Sequence, residues 1–115
     1  MIQILTEDSC RKAMESGDFD LSAIPGRAAL ILTQSWCPQW KTMFSYLAEA
    51  EKRLPDLSIL YTEYDLVSWF EPFMAFKENA YENREIPYVR YYRDGICTGT
   101  SNFVSLEGFL HRLEL

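Results

Sequence analysis

An uninterrupted apolar segment, AALILT at residues 28–33, places the strongest constraint on how this chain can fold. A strand exposed on one face alternates apolar and polar residues, whereas a strand covered on both faces is apolar throughout. A short polar stretch follows it, and then a long segment of helical periodicity begins at Pro38. The pattern predicts a parallel strand covered by helices on both faces, as in an α/β domain.

Apolar and helical segments alternate along the rest of the chain. Strands are expected over residues 2–5, 28–33, 57–64, 88–92 and 96–100, and helices over residues 6–17, 38–54, 68–85 and 105–115. The first strands alternate with helices and must be parallel, whereas the turn at residues 93–95 (RDG) makes the last two strands a hairpin. The order βαβαβαββα therefore predicts a mixed central β-sheet flanked by helices on both faces.

Residue choices at the helix ends agree with these assignments. Thr6 and Ser105 are expected to cap the first and last helices, and Gly17 to end the first helix in the left-handed conformation. Ser68 and Glu71 have the spacing of a capping box at the start of the third helix. The second helix shows an apolar stripe that is expected to face the core, formed by Trp40, Phe44, Leu47, Ala48 and Leu54.

Length and charge exclude several classes of protein. The chain of 115 residues has the size of one domain, and a hydrophobic content of 48% is enough for a core, so residues 1–115 are expected to form a single domain. The net charge of −6 argues against nucleic acid or an anionic membrane as a partner. Neither a signal peptide nor a long apolar run is evident, so a cytoplasmic location is expected.

The three cysteines show no metal-binding spacing. Cys10, Cys37 and Cys97 are far apart in sequence, and the single histidine, His111, is expected to be a solvated surface residue, so no metal site is predicted. In a reducing compartment the cysteines are expected to be thiols. Cys10 shares one helical face with Ala13 and is expected to be buried.

Three segments resemble the thioredoxin family: LILTQSWCPQW around Cys37, EIPYVRYYRDG around Pro87, and GTSNFVSLEGFLHRL at the end of the chain. The resemblance covers nearly the whole chain and implies the thioredoxin fold. It also implies that Cys37 is the nucleophile and that the peptide bond before Pro87 is cis. Residues expected beside an extended substrate or partner segment are Trp36, Pro38, Trp40, Ile86 and Pro87.

Two departures from the family pattern limit the chemistry. Trp40 stands where the family has its resolving cysteine, and Ile31 stands where it has a buried aspartate. A dithiol cycle is therefore not expected. The resemblance instead suggests monothiol exchange with a protein or peptide thiol or disulfide, with glutathione as a co-substrate and no other cofactor. Cys97 is a poor substitute for the missing thiol, because it lies roughly 17 Å along the strands from Pro87.

Two interpretations of Cys37 stay open. A thiol at a helix N-terminus faces unpaired N–H groups and the positive end of the helix dipole, and both favour the thiolate. Cysteine is also among the most buried residue types, and Trp36 and Trp40 could enclose an inert thiol. For Trp40, packing in the core or at the rim competes with contact to a partner. The alternative function is a non-catalytic module that holds a protein partner beside Pro87.

Overall fold

The computed structural model describes residues 1–114, and in this range the predicted order of strands and helices is confirmed. The elements are β1 (Ile2–Ile4), α1 (Glu7–Ser16), β2 (Arg27–Thr33), α2 (Pro38–Arg53), β3 (Ser58–Glu63), α3 (Phe70–Ala80), β4 (Tyr88–Arg93), β5 (Ile96–Ser101) and α4 (Leu106–Glu114). Leu115, the last residue of the predicted final helix, lies outside the described residues. Among the helices described, none is long and apolar enough to cross a membrane.

The five strands form one mixed sheet in the order β1-β3-β2-β4-β5. β2 lies at its centre, parallel to β3 and antiparallel to β4, and β4 continues into β5 as the predicted hairpin. Asp94 and Gly95 form the turn with φ angles of 51° and 83°. Two consecutive positive φ angles are typical of the tight turns that match the twist of a hairpin.

The apolar run in β2 supplies both hydrophobic cores. Ala29 and Ile31 face one side and pack in a core with residues of α2 and α4, whereas Leu30 and Leu32 face the other side and pack with residues of α1 and α3. Successive side chains of a strand point to opposite faces of the sheet, so both sets must be apolar when both faces are covered. The predicted helical layers on both faces are confirmed.

The predicted stripe of α2 is correct at Trp40, Leu47 and Leu54 and wrong at Phe44 and Ala48. The buried residues of this helix are Trp40, Met43, Leu47 and Ala50. Their spacing alternates between three and four residues and keeps one face toward the sheet, as the helical period of 3.6 requires. Phe44 falls one position beyond this face and is 47% exposed.

The helix ends agree with the sequence except in α3. Thr6 accepts a hydrogen bond from the Ser9 amide, and Gly17 has a φ of 90°. Ser105 Oγ accepts a hydrogen bond from the Gly108 amide.

The predicted capping box of α3 is wrong. The helix begins at Phe70 after Trp69 and has no side-chain cap, and it ends at Ala80 rather than at Glu85. Pro72 in the first turn is tolerated because an amide there would have no partner within the helix. Glu82 has a φ of 50°, in the left-handed region, so the helix cannot continue through it.

Phe73 of α3 provides a test of how much the aromatic core contributes to stability. Its side chain is fully buried, and its ring contacts four other aromatic rings. We expect Phe73→Ala to lower the free energy of unfolding by about 3–5 kcal/mol, because the cavity cannot collapse among rigid rings. Urea unfolding measures this loss. The control Phe103→Ala removes a ring that is 41% exposed and should change stability by no more than about 0.5 kcal/mol.

Candidate functional site

The candidate site lies where β2 ends, α2 begins and β4 starts. β4 runs antiparallel to β2, and Leu32 near the end of β2 pairs with Tyr88 at the start of β4. This register brings Pro87, one residue before Tyr88, to the edge of the sheet where the chain turns from β2 into α2. Residues that are distant in sequence, Cys37 and Pro87, therefore meet at one edge.

Cys37 occupies the position just before the first turn of α2. It is the N-cap residue, Pro38 follows it on the exposed surface, and the first turn of the helix contains no acidic residue. The Cys37 Sγ lies 3.8 Å from the carbonyl oxygen of Ile86, and the Ile86–Pro87 peptide bond is cis. The sulfur thus faces both the positive end of α2 and the backbone that precedes Pro87. The side chain is covered by its surroundings and is only 5% exposed.

Trp36 supplies the largest exposed apolar surface next to this cysteine. The residue is 60% exposed, and its indole Nε1 donates a hydrogen bond of 2.6 Å to the side-chain oxygen of Gln34. On the other side of Cys37, Ile86 is half-buried and Pro87 is buried. The apolar residues next to Cys37 or Pro87 in the chain that keep solvent exposure are therefore Trp36, Pro38 and Ile86.

Trp40 is not a border of this groove, which corrects the expectation from sequence. It is 1% exposed, and its indole Nε1 donates a hydrogen bond of 2.9 Å to Oε2 of Glu63. Its ring lies one helical turn after Cys37 and packs against Tyr61.

Ile31, where the thioredoxin pattern has a carboxylate, is fully buried in the same core as Cys37. The interior beneath the cysteine is therefore mostly apolar. Its polar groups include the Trp40–Glu63 hydrogen bond and the buried hydroxyl of Thr33, which lies on the same face of β2 as Ile31 and has no hydrogen-bond partner within residues 1–114.

The other two cysteines are free thiols at other places in the fold. Cys10 is fully buried in α1, as predicted, and burial raises the pKa of its thiol to about 12. Cys97 is exposed on β5 opposite Tyr92, at the far end of β4 from Pro87. His111 is exposed on α4, as expected.

The loop before Cys37 is fixed by Asp65, a residue that the sequence analysis did not single out. Its carboxylate accepts hydrogen bonds from the Ser35 amide at 2.7 Å and from the Ser35 hydroxyl at 2.6 Å. A signal for this contact was present in the sequence. The parallel strands β2 and β3 end at the same edge, so polar residues that follow them come close together.

Lys77, which is fully buried, and Asn102, which is partly buried, hold the backbone on either side of Ile86, and neither was found from the sequence. Lys77 is fully buried, and its Nζ donates to the Glu85 carbonyl at 2.5 Å and to Oδ1 of Asn83 at 3.2 Å. Asn102 Nδ2 donates to the Pro87 carbonyl at 3.0 Å. These donors fix the segment that contacts Cys37. No sequence pattern distinguishes Lys77 from an ordinary surface lysine.

Comparison with known proteins identifies the fold but no family by sequence. No protein-family model and no curated protein matches the chain. Among solved structures, thioredoxin O1 from Arabidopsis thaliana in the oxidized state has a TM-score of 0.68 at 14% identity, covering 98% of this chain and 95% of that one. Thioredoxin NaTrxh from Nicotiana alata has a TM-score of 0.69 at 8% identity, with coverage of 98% and 90%.

A third similar structure comes from a study of the thiol resolving mechanism in yeast mitochondrial 1-Cys peroxiredoxin via glutathione/thioredoxin systems. It has a TM-score of 0.67 at 14% identity and covers 98% of this chain and 93% of that one. At these identities the similarity concerns the backbone architecture. Together with the strand order and the helical layers, it shows that the chain has the thioredoxin fold.

The buried ammonium of Lys77 predicts a pH dependence of stability. Burial lowers the pKa of this group from 10.5 to about 8, although Glu78 and Glu85 oppose the shift. Above pH 8 the folded protein therefore releases a proton that the unfolded chain retains up to about pH 10.5, so the contribution of Lys77 to the free energy of unfolding rises with pH. Relative to Lys77→Met, we expect the wild type to gain up to about 1.4 kcal/mol per pH unit.

Urea unfolding of both proteins between pH 7 and pH 10 measures this difference. Lys12→Met is the matched control, because Lys12 is exposed on α1 and should leave the pH profile of the wild type unchanged. A stability difference between wild type and Lys77→Met that stays constant over this pH range would contradict the prediction.

Proposed function

We propose that this chain is a thioredoxin-like redox protein that uses Cys37 alone for thiol–disulfide exchange. The observation that carries the proposal is the position of the Cys37 sulfur, at the N-terminus of α2 and 3.8 Å from the carbonyl oxygen before Pro87. The N-terminus of α2 is the positive end of the helix dipole, and the thiolate is the nucleophilic form of cysteine. Cys10 and Cys97 lie elsewhere and take no part.

The proposed exchange begins with attack by Cys37 and ends with release of Cys37 by glutathione. The Cys37 thiolate attacks one sulfur of a protein or peptide disulfide, or of a glutathionylated thiol, and forms a mixed disulfide. The other sulfur leaves as a thiolate and takes a proton from water. A glutathione thiolate from solution then attacks the mixed disulfide, because Trp40 cannot resolve it. When the substrate is a glutathionylated thiol, this attack frees Cys37 and yields oxidised glutathione. When the substrate is a protein or peptide disulfide, the attack releases the second substrate thiol and leaves Cys37 joined to glutathione, and a second glutathione then frees Cys37 and yields oxidised glutathione. Glutathione is therefore a co-substrate in both cases.

The backbone around Pro87 is the proposed binding surface for the partner segment. An extended peptide can pair with exposed main-chain groups of a strand-like segment, and apolar side chains beside it supply further contacts. Lys77 and Asn102 hold the carbonyls of Glu85 and Pro87, which keeps this surface rigid. Trp36 and Ile86 flank it. We propose that the partner is a protein or peptide thiol or disulfide and that the protein acts in the reducing cytoplasm.

A second candidate function is a binding module that keeps the fold without the exchange. The observations that favour it are the 5% exposure of Cys37 and the apolar interior around Ile31 and Trp40. A covered thiol reacts slowly, and Ile31 stands where the thioredoxin pattern has a buried carboxylate, so this position offers no group for moving protons. In that case the groove beside Pro87 holds a protein partner, and Trp36 contributes more to binding than the thiol does.

The rate of Cys37 alkylation tests the redox proposal. In the Cys10→Ser/Cys97→Ser protein, we expect iodoacetamide to modify Cys37 several-fold faster at pH 7 than it modifies a free model thiol. The reason is that Cys37 lies at the positive end of α2, which attracts the reactive thiolate form. A free thiol with a pKa of about 8.5, by contrast, is only about 3% thiolate at this pH. Mass spectrometry over a pH series measures the rate. A Cys37 rate no higher than that of the model thiol would rule out the redox proposal.

Variants of Trp36 and Cys37 separate the two candidate functions. The probe is a peptide that carries one mixed disulfide with glutathione, and the measurements are binding and peptide deglutathionylation. If exchange is the function, Cys37→Ser abolishes deglutathionylation, whereas a pure binding module shows no turnover and binds equally well after Cys37→Ser. Under either function we expect Trp36→Ala to weaken binding about tenfold, as loss of a central tryptophan contact does.

The matched control for this experiment is Ile96→Ala. Ile96 is 70% exposed on β5 and pairs with Arg93, at the end of the hairpin away from Pro87. Its removal should leave both binding and deglutathionylation unchanged. An equal loss of binding in Ile96→Ala and Trp36→Ala would count against the groove as the binding surface.

A further inference from the structure

A second concave surface lies beside α2, on the side of Cys37 away from Pro87. It is a cleft of about 340 Å³ lined by Ser35, Trp40, Lys41, Phe44, Tyr61 and Glu63. Glu63 pairs with Thr33 across β2 and β3, and Tyr88 pairs with Leu32 across β2 and β4. The cleft and the Pro87 backbone are thus two strand spacings apart, roughly 10 Å, at the same edge of the sheet.

Three aromatic rings form most of this cleft. Trp40 provides the floor, and Phe44 and Tyr61 provide walls that are partly open to solvent. The ring centroids lie 5.4 Å apart for Trp40–Phe44 and Trp40–Tyr61, and 5.7 Å apart for Phe44–Tyr61. The faces of aromatic rings carry partial negative charge and attract cations. Phe44 contributes little to the core, so its exposed ring is available to a ligand.

Glu63 adds a full negative charge to the aromatic surface. One of its carboxylate oxygens accepts the Trp40 indole hydrogen bond. Within residues 1–114, the other oxygen has no hydrogen bond and Glu63 has no salt bridge. Lys41 lines the same cleft and is exposed, so it can compete for the carboxylate without being held against it. A carboxylate next to aromatic faces is complementary to an organic cation.

We propose that this cleft binds the cationic side chain of a lysine or arginine presented by a partner. The carboxylate of Glu63 pairs with the charged group, and the faces of Phe44 and Tyr61 contact the charged group and its aliphatic stem. The proposal does not depend on the reactivity of Cys37. Because the cleft and the Pro87 backbone share one edge, a single partner segment with a basic residue can occupy both.

The test uses the Cys37→Ser protein, so that thiol chemistry contributes nothing to the readout. The probe is Nα-acetyl-arginine methylamide, and the control probe is the citrulline analogue, which has the same shape without the charge. The measurement is the NMR shift of the Trp40 indole N–H, which donates to Glu63. We expect saturable binding of the arginine and lysine amides in the millimolar range and at least about tenfold weaker binding of the citrulline amide.

Variants then assign the binding to the cleft. Glu63→Gln keeps a side-chain acceptor for Trp40 but removes the charge, and it should weaken arginine binding about tenfold. Phe44→Ala removes an exposed wall and should weaken binding several-fold. The matched controls Glu71→Gln and Phe103→Ala change exposed residues outside the cleft and should have no effect. Lys41→Ala should tighten binding, because a competing positive charge is lost.

Equal binding of the citrulline and arginine amides would overturn the proposal, since it would show that the charge is not recognised. Unchanged arginine binding in Glu63→Gln, or weaker binding in Lys41→Ala, would also overturn it. An unperturbed amide spectrum outside the cleft confirms that each variant is folded, so loss of binding cannot be assigned to unfolding.

Discussion

The burial of β2 on both faces is the constraint on which the rest of the structure depends. A strand without water on either side must pair its backbone groups with neighbouring strands, and β3 and β4 provide these partners. Its side chains join two cores, so helices must cover both faces. The chain can turn only where β2 reaches the edge of the sheet, and this is where Cys37 enters the first turn of α2.

The segment around Pro87 is held by polar side chains, one of them fully buried, rather than by apolar packing alone. Lys77 carries a buried ammonium group, and its hydrogen bonds to Glu85 and Asn83 only partly offset the loss of hydration. Asn102 holds the Pro87 carbonyl from the loop before α4. An apolar residue at position 77 would pack without this cost but would leave the Glu85 carbonyl with one donor fewer. These donors therefore fix the backbone geometry on both sides of Ile86.

Trp40 links the two surfaces of the site. Trp40 stands where the thioredoxin pattern has a second thiol. Its large indole ring packs in the same core as Cys37 and fills the space beneath that residue. Its indole N–H needs an acceptor in this interior, and Glu63 provides one. The same hydrogen bond keeps a carboxylate at the base of the aromatic cleft. The residue that stands where the thioredoxin pattern has a second cysteine thus also forms the floor of the aromatic cleft.

The sequence by itself determined the order of the elements, the two-sided burial of β2 and the position of Cys37 at a strand–helix junction. These features follow from local periodicity, capping residues and turn residues such as Thr6 and Gly95. Errors occurred where neighbouring positions were equally apolar, as with Phe44 in α2, because the helical period alone does not fix which of two adjacent residues faces the sheet.

The tertiary structure decided what surrounds the site. The contact between Cys37 and the Ile86 carbonyl, the burial of Trp40 against Glu63 and the burial of Lys77 all join segments that are distant along the chain. Whether a lysine is a solvated surface residue or a buried donor depends on which carbonyls the folded chain brings near it. A sequence pattern records only local spacing. That Cys37 lies near Pro87 was expected from the resemblance to thioredoxins alone, and the contacts of Trp40 and Lys77 became evident only when the sheet register had brought the segments together.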